Sequence, residues 1–255
     1  MTALDPVDPV AREFSLRGYR ALLTALLEAG YQPATFADPL PAGDGPPLIL
    51  RHDLDVDPSL AVPLAEIEAE LGLAATYLVL LTSPLYNPAT ATNRATLEAL
   101  GDLGHEVGLH FDAAPHTTLP ARDAALADEL QSLGLLLGHD VRVASFHRPG
   151  LATDTPELPG VISAYEARFT QDLTYLADSG GTFRFGHPLE SDAFAARTGI
   201  QLLTHPIWWA EQPLGAVAER IDAWLARHQS RMRNTLAANI RPYADHLTDT
   251  GGHAL

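Results

Sequence analysis

Short, uninterrupted apolar runs alternate along this chain with longer amphipathic stretches. Leu16, Tyr19, Leu22, Leu23, Leu26 and Leu27 recur at helical spacing, and Gly30 supplies a stop. The segment "ATFADPLPAGDGPP" reads as a loop by its prolines and glycines. "LIL", 48–50, then opens a buried strand, and 59–71 reads as a helix. Ser59 can cap that helix, Glu66, Glu68 and Glu70 give it a polar face, and Gly72 ends it. "AATYLVLL", 74–81, is a second strand, followed by a helix at 92–104 and the strand "HEVGLHF". A helix at 122–137 leads to strands at 141–146, 172–177 and 200–205, and 213–239 reads as a long helix. Alternating strands and helices imply a mainly parallel sheet. Strands this uniformly apolar imply burial on both faces. The expected architecture is therefore one α/β domain over 1–255, its sheet open or closed into a barrel. Residues 1–47 lead in and 210–255 form a helical close.

Composition narrows the chemistry. Sixteen basic against thirty-two acidic residues give a net charge of −16. That balance argues against nucleic acid or an anionic membrane as partner, and leaves a neutral, sugar-like small molecule open. The chain has no cysteine, so any metal site must be built from His, Asp or Glu. The first twenty residues carry early prolines and acids and no apolar core, unlike a secretory signal, and no run approaches a membrane span. The expected location is cytoplasmic.

The polar clusters sit where the strands stop. "RHDLD" follows "LIL", "HFD" follows "HEVGL", "HRPG" follows "VASF", "DSGG" follows "TYLA", and "THP" follows "QLL". In α/β folds the segments beyond the carboxyl ends of the strands build the site. Asp53 and Asp55 point the same way on an extended chain, because side chains repeat every two residues. "ADSGG" imitates a serine-protease nucleophile segment, but the helix–strand alternation and the missing cysteines do not fit such a protein. No G-x-S-x-G elbow, P-loop or dinucleotide fingerprint is present.

In this order the five segments resemble the motifs of the polysaccharide deacetylase family, carbohydrate esterase family four, over about 48–209. "RHDLD" resembles its aspartate pair, "GHEVGLH" its histidine motif and "HRPG" its arginine-proline turn. "DSGG" stands where its aspartate motif belongs, and "LLTH" resembles its leucine-x-histidine. The resemblance implies a distorted, incomplete (β/α) barrel. It also implies a metal-dependent hydrolase that removes an acyl group from an amide on a sugar or sugar conjugate. Asp53 would be the general base, with Arg148 holding it and Asp178 steadying Arg148. His205 would be the general acid. Asp55 and His110 would hold a divalent metal, zinc by its His/Asp shell. A related hydrolase of small amides and a metal-poor binding module remain alternatives.

One departure is visible. The family's second histidine should fall four residues after His110, where Ala114 stands. Asp112 and His116 are the nearest replacements, and we expect His116 as the third ligand with Asp112 in support. Trp208 and Trp209 are candidates to stack on a sugar ring, one of them facing the core. His52 is expected in the core, His105 to be structural, and Asp57 to start a helix, while His147 is open between site and surface. His139, His228, His246 and His253 are expected to be exposed.

Overall fold

The structure, a computed structural model, describes residues 8–41, 43, 45–148, 159–210 and 215–249. Pro149 and Gly150 of "HRPG", and His253, lie outside the described residues. The residues group into two compact units that divide after Ala210.

Among the described residues, the first unit is built on eight strands: β1 (Gln32–Ala34), β2 (Pro47–Leu54), β3 (Thr76–Val79), β4 (Glu106–Asp112), β5 (Val143–His147), β6 (Ile162–Ser163), β7 (Thr174–Ala177) and β8 (Ile200–Thr204). The helices between them are α1 (Leu16–Glu28), α2 (Val62–Glu70), α3 (Ala91–Asp102), α4 (Leu119–Leu137) and the short α5 (Ala167–Thr170), α6 (Asp192–Ala196) and α7 (Pro206–Ala210). Every strand pairing is parallel. The order is β6-β5-β4-β3-β2-β8-β7, with β1 beside the first half of β2. Among the described residues the end strands β6 and β7 are not paired, so the sheet forms the distorted, incomplete (β/α) barrel that the family resemblance implies. Across that gap the Gln201 side chain, from β8, donates to the carbonyls of Ala164 and Phe169. The second unit comprises α8 (Val217–Asn239) and α9 (Arg241–Asp249). Among the described residues no helix is long and apolar enough to cross a membrane.

The barrel floor is apolar: Ile49, Leu78, Val143, Ala164, Phe169 and Leu173 pack with Ala34 and Phe36. Gly108 of β4 belongs to this layer. A Cβ there would meet Leu78 Cδ2 at 2.6 Å and Val143 O at 2.7 Å, so only glycine admits the neighbouring strands.

Two local expectations are corrected. Asp57, not Ser59, caps the helical turn, taking the Ser59 N–H at 3.1 Å and its hydroxyl at 2.6 Å. Glu68 is not on a polar face: it is fully buried against the outer side of the sheet. There it accepts hydrogen bonds from the Tyr19 hydroxyl, from the Tyr77 hydroxyl at 2.7 Å and from His52 Nε2 at 2.7 Å. His52 in turn meets the Thr204 hydroxyl at 2.6 Å through Nδ1 and stacks on Tyr77. His105 closes the group, donating from Nε2 to Ala65 O at 2.9 Å and accepting the Ala75 N–H at Nδ1. His52 and His105 are thus the core and structural histidines that the sequence suggests.

Candidate active site

Alternation along β2 puts Arg51 and Asp53 on the inner side of the barrel while His52 faces out. Arg51 Nε and Nη2 grip the two carboxylate oxygens of Asp53 at 2.8 and 2.9 Å, the bidentate fork that guanidinium and carboxylate favour. Both residues are buried. Burial pushes the Asp53 carboxyl up, but the Arg51 charge, with His110 beside it, holds it below the usual range and so ionised.

Just past the end of β2, Asp55 faces His110 of β4 and His147 of β5. Asp55 Oδ1 lies 3.3 Å from His110 Nε2 and 3.4 Å from His147 Nδ1, and the two ring nitrogens are 3.2 Å apart. Four ligands at ~2.0–2.1 Å in a tetrahedron stand about 3.3 Å from one another, so these three edges fit such an ion. Asp55 Oδ1 is buried without a hydrogen-bond partner, which a cation would satisfy. His110 Nδ1 is taken by the Ser145 hydroxyl at 2.6 Å, which leaves Nε2 as the ligand atom. Among the described residues, Asp55, His110 and His147 form the group able to hold a metal.

The third component comes from β7 and β8. Asp178, fully buried just past β7, takes the His205 Nδ1 proton at 2.6 Å, the His205 backbone N–H at 3.1 Å and the Trp209 indole N–H at 2.7 Å. Pro206 then opens α7, a position where its missing N–H costs nothing. The ring is thereby fixed, with Nε2 3.7 Å from Asp55 Oδ2. Burial pulls the His205 imidazolium down, but the Asp178 carboxylate, with Asp53 and Asp55 behind it, outweighs this and raises it to about 9.

The expected residues are thus partly brought together. Asp53, Asp55, His110, Asp178 and His205 converge at the carboxyl end of the sheet. His116 stacks on Phe111 with ring centroids 5.5 Å apart, outside the triad, and His147 stands where the third ligand was expected. Asp112 instead holds Arg148, at 2.8 Å. Arg148 is not at Asp53: its side chain is 64% exposed, and its backbone has a φ of 54°. Asp178 steadies His205 rather than Arg148. Trp208 and Trp209 are both buried, so neither offers a free stacking face. Arg51 went unnoticed in the sequence although its signal was present, a cation two residues before Asp53 on the same strand face.

An open parallel barrel with a three-residue candidate metal centre beside a carboxylate and a carboxylate-held histidine is the class that fold and site define. No protein-family model matches the chain, and no curated protein does. Solved structures do. A family 4 acetyl xylan esterase from Clostridium thermocellum, in complex with a cobalt ion, is similar over 72% of this chain and 84% of its own, at 16% identity and a TM-score of 0.39. The Xyl-CE4 domain of a multidomain xylanase from the hindgut metagenome of Trinervitermes trinervoides is similar over 75% and 85%, at 12% identity and a TM-score of 0.45. A CE4 family pseudoenzyme from Bacillus anthracis is similar over 78% and 66%, at 13% identity and a TM-score of 0.40.

Proposed function

We propose that this protein is a metal-dependent hydrolase that removes an acyl group, in the simplest case acetyl, from an amide on a sugar or sugar conjugate. The observation that carries this reading is the meeting of Asp53, the Asp55–His110–His147 triad and the Asp178–His205 pair at one end of the sheet. Asp55, His110 and His147 would hold the ion. Two imidazoles and one carboxylate at tetrahedral separations suit zinc. When bound, such an ion polarises an acyl oxygen and acidifies water.

The chain's own groups supply the rest. Asp53, ionised and 3.5 Å from His110 Nε2, stands beside the triad and can take the proton of an attacking water. His205 enters protonated at neutral pH and can deliver its Nε2 proton to the departing amine. Asp178 holds the ring through Nδ1 and keeps Nε2 pointed at the reacting bond, as the carboxylate of a hydrolytic triad does.

The test is hydrolysis of a panel of N-acetylated sugars, N-acetylated nucleotide sugars and cyclic amides, read as acetate release for the first two and as ring opening for the third, with and without added zinc. Release from a sugar amide that a chelator abolishes supports the reading. Ring opening of the cyclic amides alone makes the protein a hydrolase of small non-sugar amides. A protein that takes up no metal and turns over nothing would be a binding module on the same barrel.

A further inference from the structure

We infer that Asp53 is positioned from within its own strand, by Arg51 braced on Tyr165, and that this orientation is independent of Arg148. Arg51 engages both carboxylate oxygens through Nε and Nη2. On its other side Nη2 lies 3.3 Å from the Tyr165 hydroxyl, and the guanidinium carbon stands 5.2 Å from the centre of the Tyr165 ring. Tyr165 is itself fixed, donating to Phe146 O at 3.3 Å and stacking on the Phe146 ring. The guanidinium therefore has a defined plane, and that plane sets the plane of the Asp53 carboxylate. With Arg51 and Asp53 on neighbouring inward positions of β2, the backbone fixes their separation, and no loop has to close to make the pair. Arg148, by contrast, lies at an exposed strand end on Asp112, and an exposed pair of this kind is worth little.

This inference rests on the reading of Asp53 as the base, and the test separates the two. Arg51→Met, Asp53→Asn, the double variant, Arg51→Lys and Arg148→Ala are compared for kcat, KM, zinc affinity, unfolding and crystal structure. Arg51→Met should lower kcat about a hundredfold, the worth of a displacement near 1 Å, with KM and zinc affinity near wild type. In the Asp53→Asn background the same change should cost no further turnover, because the group it positions is gone. Arg51→Lys keeps the charge but not the fork, so it should recover stability better than kcat. Arg148→Ala should leave kcat at the wild-type value.

Removing Arg51 alone strands a buried carboxylate, so Arg51→Met should unfold more easily than the double variant. If Arg51→Met does not fold, Arg51→Lys carries the kinetic comparison. Additive losses in the cycle would overturn the inference, as would an Arg148→Ala defect equal to that of Arg51→Lys. An inert wild-type enzyme would sink the functional reading alone. The positioning claim then stands or falls on whether the Asp53 carboxylate has left its place beside His110 in the Arg51→Lys crystal structure.

Discussion

Two polar clusters share strand β2, back to back. On the outer face, His52, Glu68, Tyr19, Tyr77 and Thr204 are joined by hydrogen bonds, His105 packs on Tyr77 with Nδ1 3.6 Å from Glu68, and every member is buried. On the inner face, Arg51, Asp53 and His110 are buried, Asp55 and His147 are half-buried, and the group is not satisfied: Arg51 Nη1 and Asp55 Oδ1 have no hydrogen-bond partner. The residue types overlap, and the two faces alternate within "RHDLD". The difference lies in closure. A polar network whose donors and acceptors match holds elements together, here α1, α2, β2, β3 and β8. A network that leaves a buried carboxylate oxygen open, beside two imidazole nitrogens at ligand spacing, is arranged for something that arrives from outside.

Exchanging the defects should separate them. Asp53→Asn is expected to have the largest effect, lowering turnover by about two to four powers of ten, the worth of a positioned base. Zinc affinity should hold, since Asp53 is not in the triad. Steady-state kinetics beside calorimetric zinc titration decide it, and wild-type turnover in a folded variant would remove Asp53 from the mechanism. Glu68→Ala should show the reverse. It leaves two tyrosines and His52 facing an empty acceptor position, and unfolding should become easier by about 3–5 kcal/mol, the usual cost of stripping one partner from a buried polar pair. Turnover per folded molecule should stay near wild type. A Glu68→Ala protein of normal stability and depressed kcat would mean that the outer cluster belongs to the site.

How far this was legible in the sequence follows from the same alternation. Strands announce themselves by apolar runs, and the polar residues at or just past their carboxyl ends mark the candidate site, so Asp53, Asp55, His110, Asp178 and His205 could be picked out without coordinates. Pairings could not. Arg148 and Arg51 are both arginines near motif residues, and only the tertiary structure shows that one is buried on Asp53 and the other exposed on Asp112. Glu68 has the spacing of an exposed glutamate on α2. What buries it is a set of partners from three other elements, a tertiary fact that no local pattern carries. β1 and β6 were not foreseen either, because three and two residues are too short to show a period.

The third ligand gives a smaller contrast within the inner face. His147→Ala should weaken zinc at least tenfold, since it removes one of three ligands. His116→Ala should cost only its contact with Phe111 and leave zinc affinity unchanged. Zinc titration of the two variants ranks them directly. The opposite ranking would restore His116 to the shell and require the segment after β4 to rearrange around the ion.

The weakest expected effect concerns acid. Burial holds the His105 imidazole below its ordinary value, against the pull of Glu68 and of its bond to Ala65, so the folded protein keeps this ring neutral. The unfolded chain takes up a proton near pH 6.5, the ordinary histidine value, and the folded protein does so only at lower pH. Between those points the unfolded state binds more protons, and stability must fall as the pH falls. For one ring the slope cannot exceed about 1.4 kcal/mol per pH unit. Glu68 adds in the same sense at still lower pH. Its burial raises the carboxyl, but His52 and the two tyrosine hydroxyls hold it below the usual range, so its share of stability is lost as pH drops through that depressed value. His105→Gln can keep one donor and one acceptor and does not titrate. Its stability should therefore decline less steeply than wild type just below pH 6.5, with zinc affinity unaltered. Denaturant unfolding of the two proteins across that range, in the presence of a chelator so that the inner face is compared without metal, measures the difference in slope. Parallel curves would mean that His105 titrates alike folded and unfolded, and that the outer cluster is less closed than its hydrogen bonds imply.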